Sequence, residues 1–310
     1  MIGIIFTYKF NRKYFNVGDY IQSLAAKDNL EKIGVSQFKY LNRESIIDYK
    51  LNDNEICIHN GWFQHDETSF YFLNRSIYIS IHLTNKLKHF LSQNQDRLSN
   101  IKSKIVLTRD PDTAEFLSEN SINAKMGYCL TLTLKPRKTK KTHKIIFVDC
   151  LYRRNFEPRS FYLFIKSFFT NLTKHFILFR IYGIDYLKAP KLKSTELNSK
   201  FQSEEERFNL AEEHLRLFAS AEEVVTSRIH CALPSLGFGK KVTYLHDKFG
   251  LKDESRLNGI TDLFDVISLG SLKNPLLIRK TFISKKIKDI SDIKNKLLLH
   301  IKNEYELLTN

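Results

Sequence analysis

Short apolar runs alternate with helical patterns from one end of the chain to the other, and this constrains the fold more than any other feature. Such alternation implies helices layered on sheets of parallel strands. Strand-like runs occur at Ile2–Tyr8, Phe38–Leu41, Glu55–His59, Ile77–Leu83, Lys104–Thr108 and Tyr128–Leu134. A basic, polar, proline-bearing break spans Lys135–His143, and the pattern then restarts with Ile145–Asp149, Phe176–Tyr182, Val224–Thr226 and Lys241–Leu245. Helices are expected after Asn16, with Gly34 as a left-handed cap, and at Asp112–Asn120, Phe161–Leu172, from Ser203 onward and at Ser291–Leu308. Ser203 with Glu206 reads as a capping box, and Glu212–Arg216 as an i,i+4 pair. The stretch between Tyr8 and Asn16, rich in polar and aromatic residues, reads as a loop, and residues 185–202 as a polar loop. The expected class is α/β, with two Rossmann-like domains facing each other across a cleft. Residues 1–136 form the first domain and 144–286 the second, with a C-terminal helix in 287–310 packing back across both.

The chain has 310 residues, with 49 Lys+Arg against 34 Asp+Glu, a formal charge of +15. That excess suits phosphorylated substrates, polyanions or an anionic membrane surface. The four cysteines show no C-x-x-C spacing, so they are expected as reduced, buried thiols and no metal site is expected. The first residues do not form a signal segment, and no apolar run approaches a bilayer span, so a cytoplasmic location is expected, with at most peripheral contact at the inner membrane.

The densest chemical signal is Val224-Val225-Thr226-Ser227-Arg228-Ile229-His230-Cys231-Ala232-Leu233-Pro234. It reads as a strand end, a turn, and a small-residue helix that opens with a cation and a titratable ring. A helix N-terminus binds anions, arginine adds a planar charged fork, and an imidazole adds acid/base chemistry near neutrality. The blander reading is a core histidine beside a surface arginine. Thr108-Arg109-Asp110-Pro111 repeats the strand-end arginine, although Asp110 there also reads as an N-cap. Asn16-Val17-Gly18-Asp19 opens another helix, and Asn60-Gly61-Trp62 is a turn whose tryptophan can stack on a sugar or pack in the core. His82 ends a strand-like run and reads as a satisfied structural histidine or a site residue. No phosphate-cradling G-x-x-x-x-G-K, G-x-S-x-G, H-E-x-x-H or G-x-G-x-x-G occurs.

Together with Cys129-Leu130-Thr131-Leu132-Thr133-Leu134, these motifs resemble the polysaccharide pyruvyl transferase family in order, from residue 16 to about 258. Gly127-Tyr128-Cys129 departs from it, since Gly and Cys are expected to be adjacent. The resemblance implies a GT-B-like fold. It also implies transfer of the pyruvyl unit of phosphoenolpyruvate to two hydroxyls of a sugar or lipid-linked glycan, giving a cyclic ketal, with no further cofactor. It assigns Arg109, Arg228 and Ser227 to the donor, His230 and Asp19 to catalysis, and Asn16, Gly18, Asn60, Trp62, His82 and Arg256 to acceptor or supporting positions. A GT-B glycosyltransferase using a sugar nucleotide is the alternative. A nucleic-acid partner is not expected, because the charge comes without a basic helix or an aromatic RNA platform.

Overall fold

The computed structural model of the chain describes residues 1–8, 13–47, 49–63, 71–102, 104–139, 142–150, 161–246, 257–268 and 290–309. The first half contains β1 (Ile2–Thr7), β2 (Tyr14–Asn16), α1 (Val17–Lys32), β3 (Gln37–Asn42), β4 (Glu55–Phe63), β5 (Ser76–Leu83), α2 (Asn85–Gln93), β6 (Ile105–Thr108), α3 (Pro111–Glu119) and β7 (Asn123–Met126). The second half contains β8 (His143–Val148), α4 (Phe161–Tyr182), α5 (Ile184–Lys188), β9 (Lys191–Leu192), β10 (Thr195–Leu197), α6 (Glu204–Ser220), β11 (Ala221–Thr226), α7 (Ile229–Gly237), β12 (Lys241–His246), β13 (Asp265–Ser268) and α8 (Ile290–Thr309).

The apolar runs assemble into two Rossmann-like parallel sheets. One is ordered β3-β1-β4-β5-β6-β7 and the other β13-β12-β11-β8-β9. Every residue of β5 is buried, as a strand covered on both faces requires. Chain order reverses at β1/β4 in the first sheet and at β8/β11 in the second. Ligands of open parallel sheets bind beyond the carboxyl ends of strands at such reversals.

The two halves share hydrogen bonds and core. β2 pairs antiparallel with β10, so the two loops expected from sequence meet as a two-stranded ribbon. Each strand is only three residues long, too short to show as a strand by periodicity, and each depends on the other for its ladder. Helix α1 packs on α6 and α7, and the Tyr20 hydroxyl donates to Glu204 Oε2 at 2.7 Å. Ile21 and Ala25 of α1 lie in one buried cluster with Leu215, Leu233 and Leu297. Gly34 takes φ 93° after α1, and Gly34 N–H and Val35 N–H close on Glu31 O and Leu30 O in a Schellman cap. In the break between the halves, Arg137 donates to Glu212 Oε2 at 2.7 Å and to Asp28 Oδ2 at 2.8 Å, tying α6 to α1. Glu212 is therefore engaged by Arg137 rather than by its helical neighbour. Ser203 caps α6 as expected, but Glu206 accepts from Gln202 N–H. Helix α8 packs on β5 and on the turn Leu130–Thr133.

Two strand-like runs are helical. Leu130–Thr133 is a 3-10 turn buried on all sides between α1, α7 and α8, where the alternating Leu-Thr pattern reflects complete enclosure rather than a pleat. The Thr133 hydroxyl donates to Leu130 O, closing the turn locally. Phe176–Tyr182 continues α4: Ile177 and Leu178 are buried, while Phe176 and Phe179 face outward. The extra Tyr128 is accommodated with φ 65°. All four cysteines are buried, unbridged thiols.

Candidate functional site

The site starts where β11 hands over to α7. Arg228 is the N-cap, in an extended conformation, and His230 lies in the first turn. Arg228 N–H donates to Thr226 Oγ1 at 3.0 Å, the Ser227 hydroxyl to Asp149 O at 2.8 Å, and the Tyr244 hydroxyl to Ser227 O at 3.0 Å. The turn is thus bolted to the ends of β8 and β12. Behind it, Gly237 is required by packing, since a Cβ there would collide with the Leu132 carbonyl oxygen.

Asp149, just after β8, sits at the reversal point of the second sheet with φ 50°. A non-glycine residue there costs about 1–2 kcal/mol, least for Asp and Asn. Its side chain offsets that cost. Oδ2 accepts from Arg228 Nε at 2.7 Å and from the Ser194 hydroxyl, and Oδ1 accepts from Ser194 N–H at 3.2 Å. Ser194 O in turn accepts from Val17 N–H at 2.7 Å, which anchors the start of α1. Asp149 and Ser194 were not legible as site residues. A lone Asp after a strand is common, and Ser194 lies in the segment read as a loop.

Arg109 follows β6 and is 1 % exposed. Its N–H donates to Ile81 O at 2.8 Å, and Asp110 caps α3 by accepting from Thr113 N–H at 2.9 Å. Asp110 Oδ2 also pairs with His82 Nδ1 at 2.6 Å, both side chains fully buried. Burial alone would raise the Asp110 carboxyl. The His82 hydrogen bond and charge, with Thr113, outweigh it and hold the carboxyl below its ordinary value. His82 therefore fixes the loop that carries Arg109. The N-cap reading of this segment holds at Asp110, directly beside Arg109.

The two halves meet where Arg109 Nη1 lies 3.4 Å from His230 Nε2. A guanidinium only donates, so this contact uses a bare Nε2 and leaves the ring proton on Nδ1. The Nδ1 edge faces α1: a Cβ on Gly18 would stand 3.0 Å from His230 Cβ and 3.1 Å from Nδ1. Asn16 caps α1 by accepting from Gly18 N–H at 3.1 Å, and Asp19 follows in the first turn. Gln22 Nε2 donates to Asp19 Oδ1 at 3.4 Å, and Asn60 Nδ2 donates to Gln22 O at 3.3 Å.

Next to the reversal point of the first sheet, the β4–β5 register shifts between His59 and Gly61, and one strand further out the β5–β6 register shifts between Ile79 and Ile81. Gly61 takes φ 127° and Ser80 φ 59°, and the Ser80 hydroxyl accepts from Leu130 N–H at 2.6 Å. Such bulges re-aim strand ends. Here they turn Asn60 toward α1 and bring Arg43 close. The buried Arg43 guanidinium lies 4.6 Å from the centre of the Tyr8 ring, and a Cβ on Gly61 would stand 3.7 Å from its Nη1. Burial, together with Asp19, pushes the Tyr8 phenol up to about 12, against the pull of Arg43. Sequence reasoning missed Arg43, although Asn42-Arg43 follows a strand as Thr108-Arg109 and Ser227-Arg228 do.

Residues 16–245 match the family model described as polysaccharide pyruvyl transferase. The chain belongs to that family. In this pyruvyl transferase family member, the matched span runs from the N-cap of α1 into β12 and takes in Asp19, Arg43, Arg109, Asp149, Arg228 and His230. A comparison with curated proteins found no match. Among solved structures, the chain is similar to an uncharacterized protein from Klebsiella pneumoniae, with 14% identity and a TM-score of 0.42, over 82% of this chain and 86% of that one.

Of the expected site residues, the fold brings Asn16, Gly18, Asp19, Asn60, Arg109, Ser227, Arg228 and His230 into this one connected network, with His82 beneath it. Trp62 lies on β4, but its side chain is outside the described residues, as is Arg256. Among the described residues, no group of three His, Cys, Asp or Glu side chains could hold a metal ion.

Proposed function

We propose that the chain transfers the pyruvyl unit of phosphoenolpyruvate to two hydroxyls of a sugar on a polysaccharide or its lipid-linked precursor, forming a cyclic ketal. One observation carries this reading beyond the family: the contact between Arg109 and His230, from opposite halves, with Arg228 two residues away at the start of α7. Guanidinium forks match the phosphate and carboxylate of a small dianion.

In this reading the donor's methylene carbon takes a proton, and C2 becomes oxocarbenium-like. A sugar hydroxyl adds to C2 and loses its proton, the C2–O bond to phosphate breaks with the electron pair leaving on phosphate, and the second hydroxyl closes the ring and loses its proton. Arg109 and Arg228 stabilise the departing phosphate. A phosphate that draws Arg109 away uncovers the His230 Nε2 lone pair, which then serves as base toward a hydroxyl. Asp149 holds Arg228 by Nε and so fixes where its two Nη groups point. Asp19, beside Gly18, supplies a second acid/base group.

The test incubates the protein with phosphoenolpyruvate and candidate glycans, and follows phosphate release and the ketal mass increment. Release of nucleoside diphosphate from sugar nucleotides, with phosphoenolpyruvate left intact, would overturn the reading.

A further inference from the structure

Helix α4 covers the second sheet with Ile177 and Leu178, which pack on Phe147, Tyr186 and Val225. A surface helix with its core stripe satisfied should be polar elsewhere. This one is not. Leu172, Phe176 and Phe179 on α4, and Ile184 and Leu187 on α5, are between 44% and 62% exposed. Leu172, Phe176 and Phe179 recur at four- and three-residue spacing, so they share the outward face. Gly183, whose N–H donates to Phe179 O at 2.7 Å, turns the chain directly into α5.

The charge around this patch is one-sided. From Phe161 to Lys188 the sequence has four basic residues, Lys166, Lys174, Arg180 and Lys188, and a single acidic one, Asp185; Lys174 is buried, while Arg180 and Lys188 are exposed beside the patch. Asp185 is paired with Lys144 at 2.6 Å. The Arg180 guanidinium lies 5.9 Å from the Phe176 ring centre, and Lys191 closes α5 by donating to Tyr186 O at 2.7 Å. Apolar side chains rimmed by cations are the pattern of a helix lying in a membrane interface. Among the described residues, no helix is long and apolar enough to cross a bilayer. A second copy is disfavoured as occupant, because two chains of +15 would bring matching cationic rims together.

The geometry points to α4 and α5 as a docking face for a bilayer rich in anionic phospholipid, with Leu172, Phe176, Phe179, Ile184 and Leu187 entering the interface and Arg180 and Lys188 meeting the headgroups. The inference does not depend on the pyruvyl transfer reading, since binding is read without turnover.

The experiment is sedimentation with vesicles of phosphatidylcholine alone and of phosphatidylcholine with one-third phosphatidylglycerol. The intact protein is expected to bind the anionic vesicles at least about tenfold better, and to lose most of that difference in high salt. The exposed pair Phe176→Ser/Phe179→Ser is expected to cut binding by about tenfold with an unchanged circular dichroism spectrum. Lys188→Glu should weaken it severalfold. Failure of the intact protein to bind anionic vesicles, or binding indifferent to the phenylalanine pair, would overturn the proposal. A concentration-dependent dimer in analytical ultracentrifugation that the same pair abolishes would also overturn it, by assigning the face to a second copy.

Discussion

Gly18 faces His230 across the two halves of the molecule, and a Cβ on the glycine would stand only 3.0 Å from His230 Cβ and 3.1 Å from Nδ1. Gly18→Ala should therefore push the imidazole by a few tenths of an ångström while α1 stays formed. Misplaced catalytic groups lose rate steeply, and about ten- to a hundredfold in kcat is expected here. The thermal midpoint should stay within a few degrees of the parent. His230→Ala is the reference for full loss. Turnover within twofold of the parent in Gly18→Ala would mean that the ring position is not critical.

Asp149 separates charge from backbone shape. Asn tolerates the left-handed φ of 50°, so Asp149→Asn should keep the turn but weaken the hold on Arg228, raising KM for phosphoenolpyruvate about tenfold. Asp149→Ala should add a stability loss of about 1–2 kcal/mol from the strained backbone. Steady-state kinetics and urea unfolding read the two effects separately.

Arg43 sits over Tyr8 at the first sheet's reversal point, where a point charge cannot replace its plane. Arg43→Lys should lower kcat/KM by about tenfold or more, with the larger share in KM. An unchanged kcat/KM would remove Arg43 from the binding network.

His59 is packed among Phe6, Phe72 and Tyr78, and burial, helped by the Arg43 charge, lowers it to about 3. Its unfolded value is about 6.5. Between those values the unfolded chain binds the proton and the folded chain does not, so folding stability falls as pH drops below about 6.5. The contribution is up to about 1.4 kcal/mol per pH unit. Urea unfolding at several pH values between 7 and 4 should show a steeper acid loss for the parent than for His59→Phe. Equal slopes would show that His59 carries no such linkage.

Much of this architecture was visible in the residues alone. Buried parallel strands such as β5 announce themselves by continuous apolar runs, and the strand-end arginines Arg109 and Arg228 stand out against them. The Ser-Arg-x-His segment located the start of α7 because its composition changes abruptly there. The failures have a common cause. Leu130–Thr133 and Phe176–Tyr182 are apolar because of what surrounds them, and periodicity over so few residues cannot separate a strand from an enclosed turn or a helix. β2 and β10 exist only as a pair from distant parts of the chain. Asp149, Ser194 and Arg43 join the site through bulges and reversal points, which are properties of the assembled sheets.

The ribbon of β2 and β10 has a practical corollary. Cutting the peptide between Lys135 and His143 would leave each fragment missing a partner strand, half of the shared core around Ile21 and Leu215, and one side of the Arg109–His230 contact. Neither piece would carry a working centre by itself. Activity would return only on mixing, with a dependence on both fragment concentrations that reports how firmly the pieces re-associate.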